Sequence, residues 1–231
     1  MWTNEQLKEK ARVNLNRNYW PLVLAGLLYS LAAGGVSTAT SSSSVRSSIQ
    51  NAGSFGAMIM AIVLTILAVS TLFSIALDIC VFNPLMVGVN KYFVACQTQE
   101  KPELNTFAFG FKNCYGKIVL TMFLQDLFIF LWSLLFIIPG IYKSLEWMLV
   151  PYILTENPGM DAKEARQRSA ELMDGNKWKA FVLGLSFLGW VLLSVITCGI
   201  VGIFYVTPYM QLTYGELYTA IKAEKQGTIY S

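Results

Sequence analysis

Residues 157–223 decide the fold. They open on Asn157-Pro158-Gly159, a punctuated turn. A short charged segment runs from Asp161 to Asp174, Gly175-Asn176-Lys177-Trp178 follows, and two apolar runs come next, parted only by Gly199-Ile200-Val201-Gly202. In the charged segment Ala162, Ala165, Ser169 and Leu172 share one small, apolar-leaning helical face, and Lys163, Arg166 and Arg168 take the others. Asp161, three residues before Glu164, fits the capping pattern with an Asp in the cap. The stretch reads as a cytoplasmic surface helix feeding a transmembrane hairpin, and weaker copies of the same plan occur twice upstream.

Composition agrees. The 231 residues are 55% hydrophobic and 13% charged, with a mean hydropathy of +0.50. Soluble domains are typically about a quarter charged, so half that charge combined with long apolar runs places the chain in the membrane class. A net charge of +3 is too small to point to nucleic acid. There is no His, which removes the commonest general base and the usual metal ligand. Cys80, Cys96, Cys114 and Cys198 form no CxxC pair, so neither a zinc nor a redox site has support, and no cofactor is expected. Cys80 and Cys198 lie in apolar runs and read as small core residues; Cys96 and Cys114 fall on the side assigned to the cytoplasm, where disulfides are not expected. Residues 1–17 are polar and charged, and the small-residue stretch after the first apolar run lacks a clear cleavage pattern, so that run is read as a retained helix.

The expected fold is an all-α, integral membrane six-helix bundle forming a single membrane domain. Residues 1–17 form a cytoplasmic helix with Leu7, Ala11 and Leu15 on a narrow stripe, and Thr3 with Gln6 offers a capping box. That helix is read as lying on the inner leaflet; the alternative is a solvated helix leading into a span. The spans are 20–36, 57–82, 118–138, 141–155, 178–198 and 203–221. A Ser-rich extracytoplasmic loop occupies 37–56, a cytoplasmic segment 83–117, the amphipathic helix 161–174 and a tail 222–231. Phe107, Phe109 and Phe111 alternate, as in a short strand or, next to a membrane, an aromatic interfacial turn.

The basic residues orient this layout. Of the seventeen Lys and Arg, all but Arg46 and Lys143 fall on the side of the two termini. Positive residues are retained in the cytoplasm, so both termini are expected there, in a multi-pass membrane protein.

An internal repeat is visible. Asn18-Tyr19-Trp20 before the first span echoes Asn176-Lys177-Trp178 before the fifth, each with a Gly six residues beyond the Trp, Gly26 and Gly184. Asn113-Cys114-Tyr115 is a looser third copy. Pro84, Pro151 and Pro208 recur at or in the second span of each pair, where proline removes a backbone hydrogen bond and kinks a helix. The kinks either shape a central cleft or help short spans pack.

Several of these runs resemble a known group. Ile137-Ile138-Pro139-Gly140-Ile141, Val150-Pro151-Tyr152-Ile153-Leu154, Ser169 through Trp178, Leu185 to Trp190 and Thr207-Pro208-Tyr209 look like the bacterial membrane-protein family known as domain of unknown function nine-seven-five. That resemblance implies a polytopic protein with no settled activity. It also looks distantly like the membrane domain attached to some glycerophosphodiesterases, which implies no catalytic residues.

Four acidic residues fall at or near membrane depth: Asp78, Asp126, Glu146 and Glu216. A charge at the bilayer centre costs at least ~2.5–3.5 kcal/mol, so such groups are usually paired, neutralised or beside water. Lys143 and Glu146 are three apart and read as a structural ion pair. Asp126, with Gln125 beside it and no basic neighbour in sequence, is either a proton or cation site or an Asp held by hydrogen bonds from other helices; Asp78 joins it as a candidate. Glu216 reads as solvated. The expected function is non-enzymatic: binding membrane lipids or a protein partner at the cytoplasmic face, or assisting export or assembly. The alternative is a small transporter or oligomeric channel using Asp126 and Asp78. An intramembrane enzyme lacks a recognisable motif.

Overall fold

The structure, a computed structural model, describes residues 2–33, 54–99, 102–135, 137–197 and 199–229. Most of the Ser-rich loop 37–56 lies outside the described residues. All regular elements among the described residues are helical, and three helical stretches are long and apolar enough to cross a membrane: Met60–Thr98, Tyr115–Leu135 and Lys177–Ile196.

The first helix, α1 (Asn4–Arg17), starts as the sequence dictates. Thr3 and Gln6 close a reciprocal capping box. Its stripe, however, does not face lipid. Leu7, Ala11 and Leu15 are buried in the protein's own core, and the Tyr209 hydroxyl donates to the Lys8 carbonyl at 3.4 Å. This corrects the inner-leaflet reading: three apolar residues every fourth position match a protein groove as well as a membrane.

Asn18 ends α1, and its carbonyl accepts from Leu22 N–H at 3.1 Å to begin α2 (Tyr19–Ala33). Next come α3 (Ser54–Leu77), a turn of π-helix (Asp78–Phe82) and α4 (Asn83–Thr98). The segment from Asn83 was expected to leave the span as a cytoplasmic connector. Instead the helix continues, because Asn83-Pro84 sits in the first turn of α4, where proline's missing N–H is no loss. A 3-10 turn (Leu104–Ala108) and the short α5 (Phe109–Lys112) hold the three alternating Phe residues, so that stretch is helical and not a strand.

A positive φ of 49° at Cys114 turns the chain into α6 (Tyr115–Leu135), which folds back as α7 (Ile137–Trp147) and α8 (Val150–Glu156). The charged helix α9 (Ala162–Met173) follows. Asp161 occupies its N-cap, yet makes no side-chain cap bond; it pairs with Lys117 instead, at 3.3 Å, which corrects the capping expectation. Gly175, with φ 77°, takes the left-handed step after α9 that other residues resist. The Asn176 carbonyl then accepts from Ala180 N–H at 2.9 Å, as Asn18 does for α2. The fifth apolar run divides into α10 (Lys177–Leu185) and α11 (Leu188–Ile196). A second π turn (Gly202–Val206) leads into α12 (Thr207–Ile229).

Each repeated proline therefore stands in the first turn of α4, α8 or α12, directly after a π turn (α4 and α12) or a two-residue turn (α8). Buried groups from α1, α2, α4, α8, α9, α10 and α12 form the main core, with Tyr92, Phe93, Phe187 and Leu212 at its centre. A smaller core joins Ile118, Met122, Trp147, Val150, Leu154 and Ala165. From this base apolar helices project with their side chains uncovered. Along α3, Ile66, Leu72 and Phe73 are exposed, as are Leu131 and Leu135 of α6 and Val195 and Ile196 of α11. Large apolar surfaces of this extent mark a membrane or protein interface.

Candidate functional site

Three polar constellations stand out where base and apolar helices meet. The first gathers the carboxylates singled out in the sequence. The π turn and Pro84 set Asn83 facing α6, and its amide donates to Asp126 Oδ2 at 3.4 Å. Asp78, at the head of the same π turn, is near enough to Asp126 to interact electrostatically. The Tyr115 hydroxyl donates to the Cys80 carbonyl at 2.7 Å and pins that turn against α6. Gln125 points elsewhere: it is buried, whereas Asp126 is exposed, and its Oε1 has no hydrogen-bond partner among the described residues. Asn83 is thus bonded to Asp126, with Asp78 within electrostatic range, and Gln125 does not join them. Asn83 was missed as a member, its sequence signal being absorbed by the Asn-Pro break. Among the described residues no group of three or more His, Cys, Asp or Glu could hold a metal.

The second constellation is a collar around Glu146. Lys143 donates to Oε1 at 2.9 Å, as its spacing required, and Lys177 donates to Oε2 at 3.0 Å. Lys177 also donates to the Tyr142 hydroxyl at 2.7 Å. Ser169 of α9 donates to the Glu146 backbone carbonyl at 2.7 Å. Arg166 lies over two rings, 4.8 Å from the Phe128 centroid and 5.7 Å from that of Trp147, and burial there lowers its pKa without discharging so strong a base. Trp178 is exposed beside the collar. Lys143, counted in the sequence as an exception on the far side, therefore stands level with Lys177 at the head of α10.

The third is a groove of about 560 Å³ where α1 and α12 meet the end of α4, lined by Glu9, Lys10, Asn14, Gln97 and Glu216 among others. Glu216 is 7% exposed, which corrects its solvated reading; Asn14 Nδ2 donates to its Oε1 at 3.1 Å. No periodicity in α12 foretells this, since the partner lies at the opposite end of the chain. Nearby, Tyr152 stacks on Tyr218 with centroids 5.6 Å apart, and Lys222 pairs with Glu156 at 2.6 Å.

The collar can bind an anion, since two lysines share one carboxylate and an arginine stands adjacent. The pair of carboxylates can hold a cation or a proton. No curated protein and no solved structure matches the chain. Residues 134–225, from the tip of the α6–α7 hairpin through most of α12 and including Lys143, Glu146, Arg166 and Lys177 of the collar, match the model of the family described as protein of unknown function (DUF975).

Proposed function

We propose that this is a non-enzymatic integral membrane protein of the bacterial cell membrane that holds anionic lipid headgroups at its cytoplasmic face. The six apolar segments form three repeated hairpins, α2 with α3, α6 with α7 and α8, and α10 and α11 with α12. Both termini are cytoplasmic. Two features support that arrangement. With Lys143 beside Lys177, Arg46 is left as the one basic residue off the cytoplasmic side. Pro84, Pro151 and Pro208 also stand at the same step of each hairpin.

The observation that carries the reading is the collar. Lys143 and Lys177 converge on the single Glu146 carboxylate, with Arg166 and the rings of Tyr142 and Trp147 around them, at the foot of lipid-facing helices. Basic and aromatic side chains together at that level suit a phosphate-bearing headgroup. Native mass spectrometry of protein released from nanodiscs of phosphatidylglycerol in phosphatidylcholine tests it. The wild type retains phosphatidylglycerol, the Lys143→Ala/Lys177→Ala variant loses it, and Glu146→Gln, which frees both lysines, retains more. Equal retention by all three sinks the reading.

The convergence of Asp78, Asp126 and Asn83 favours a second reading, a small transporter or oligomeric channel for a cation or proton. Unchanged proton or cation flux in liposomes for Asp126→Asn removes it.

A further inference from the structure

We propose that the α6–α7 hairpin is a half-depth wedge, entering the cytoplasmic leaflet and turning inside it, so that its tip contacts the acyl chains of that leaflet and never reaches the far face. This rests on the orientation given under Proposed function and departs from it in depth: the middle hairpin does not cross.

Three internal rulers measure the tip against helices that do cross. The first is Lys177, which marks the foot of α10. From there the apolar stretch to Ile196 is 20 residues long, about 30 Å at ~1.5 Å per residue and equal to a hydrocarbon core of ~30 Å. Glu146 and Tyr142 bind Lys177 directly, so α7 is tied to that foot. From Lys143 back to Ile137, where α7 begins, the helix rises only about 9 Å. The second ruler is Arg166, seated on Phe128. Beyond Phe128, α6 has only about 10 Å left before it ends at Leu135. The third is the hydrogen bond from Asn83, just below α3, to Asp126 of α6. Above it the 24-residue α3 extends roughly 36 Å, while α6 has roughly 14 Å remaining. All three put the tip about 9–14 Å above the foot, a third to a half of the hydrocarbon thickness.

Sinking the whole assembly deeper does not rescue a crossing. The helix that sits on Phe128 and Glu146 is α9, and Lys163, Glu164, Arg168 and Glu171 on it are exposed. Charges of that number are not carried into hydrocarbon. The wedge is also narrow. Gly140 packs against Ser133 so closely that a Cβ would collide, and the two limbs touch almost to the turn. Its surface demands an apolar cover: Leu134 is 76% and Ile138 81% exposed, with Phe130, Leu131 and Ile141 around them. Below that surface stands the charged collar. Apolar tip and cationic base, about 10 Å apart, match one leaflet's acyl chains and headgroups.

Single-cysteine variants in a background with Cys80, Cys96, Cys114 and Cys198 replaced by Ala test this in sealed vesicles. A charged, impermeant maleimide is applied from the face opposite Lys177. Thr197→Cys, at the α11 turn, reacts. Leu134→Cys and Ile138→Cys fall to background and react only after detergent is added, which also shows that they are present, and an unchanged melting temperature shows that they are folded. A nitroxide on Ile138→Cys is quenched by oxygen and shielded from a water-soluble nickel chelate. Labelling of Ile138→Cys from the far face at the rate of Thr197→Cys overturns the wedge and leaves the orientation standing. If Thr197→Cys is silent from that face and reacts from the other, the orientation fails and takes the wedge with it.

Discussion

Ser169 of the charged helix α9 donates its hydroxyl to the backbone carbonyl of Glu146, 2.7 Å away in a fully buried contact. The two residues are the point at which the charged helix α9 is fastened to the end of α7. Glu146 lies in the last turn of α7, where helix carbonyls lose their intrahelical partners, so the serine satisfies a group that would otherwise be orphaned. Ser169→Ala leaves that carbonyl unpaired and is expected to destabilise the protein by about 1–3 kcal/mol. Thermal unfolding in detergent micelles reads the loss. A melting temperature equal to that of the wild type shows the bond to be dispensable.

Two glycines of the base admit no side chain. A Cβ on Gly88 would collide with the Phe107 carbonyl, and one on Gly110 with the Pro84 carbonyl. Both obstacles are backbone, which cannot swing aside. Gly88→Ala and Gly110→Ala are each expected to cost about 1–3 kcal/mol or more by overpacking, outweighing alanine's better helix propensity. Gly116, in the first turn of α6, has nothing within 4 Å of its Cβ position. Gly116→Ala is therefore expected to gain up to ~1 kcal/mol. Expression yield and melting temperature of the three variants separate the cases.

The docking of α1 on α12 predicts a measurable coupling across the whole length of the chain. Asn14 Nδ2 stands 3.1 Å from Glu216 Oε1, in a partly buried contact. Removing the donor costs a buried carboxylate its hydrogen bond and leaves it only the charge of Lys10, so Asn14→Ala is expected to be more damaging than Glu216→Gln, which leaves an uncharged acceptor. A double-mutant cycle on the pair should give an interaction energy of about 0.5–3 kcal/mol. Asn14→Ala should also speed tryptic cleavage at Lys8, Lys10 and Arg12, because α1 is then more often released.

An exposed pair serves as contrast. Lys117 and Asp161 are 3.3 Å apart, with side chains 55% and 78% exposed. Asp161→Asn is expected to shift stability by no more than about 1 kcal/mol, a change to be read in the same melting assay.

Local signals carried most of what the sequence revealed about the fold. The Thr3–Gln6 box, the stripe of Leu7, Ala11 and Leu15 and the Lys143–Glu146 pair all depend on residues three or four apart, and all are present. The failures share a different cause. Glu216 was read as solvated because its partner Asn14 belongs to the first helix. Asp161 fits a cap by spacing, yet Lys117, 44 residues upstream, competes for its carboxylate. The continuation of α3 through Asn83-Pro84 was hidden because an Asn-Pro pair ends one helix as readily as it begins another, and a π turn has no periodicity to show it. Of the site candidates, the ion pair was legible. The meeting of Asp78 with Asp126 was not, because it depends on how α3 crosses α6.

The run from Met60 to Thr98 is 39 residues of helix with one π turn in it. Its length is about 57 Å at ~1.5 Å per residue, nearly twice the hydrocarbon thickness. Its upper part touches little of the protein, and its lower part, at Val89, Tyr92 and Phe93, is the centre of the core. It is a mast stepped in a hull. In a thinner bilayer the mast must lean further to keep its apolar length covered. The leaning is delivered to the foot as torque, so in the orientation proposed above bilayer thickness becomes a mechanical input to the base.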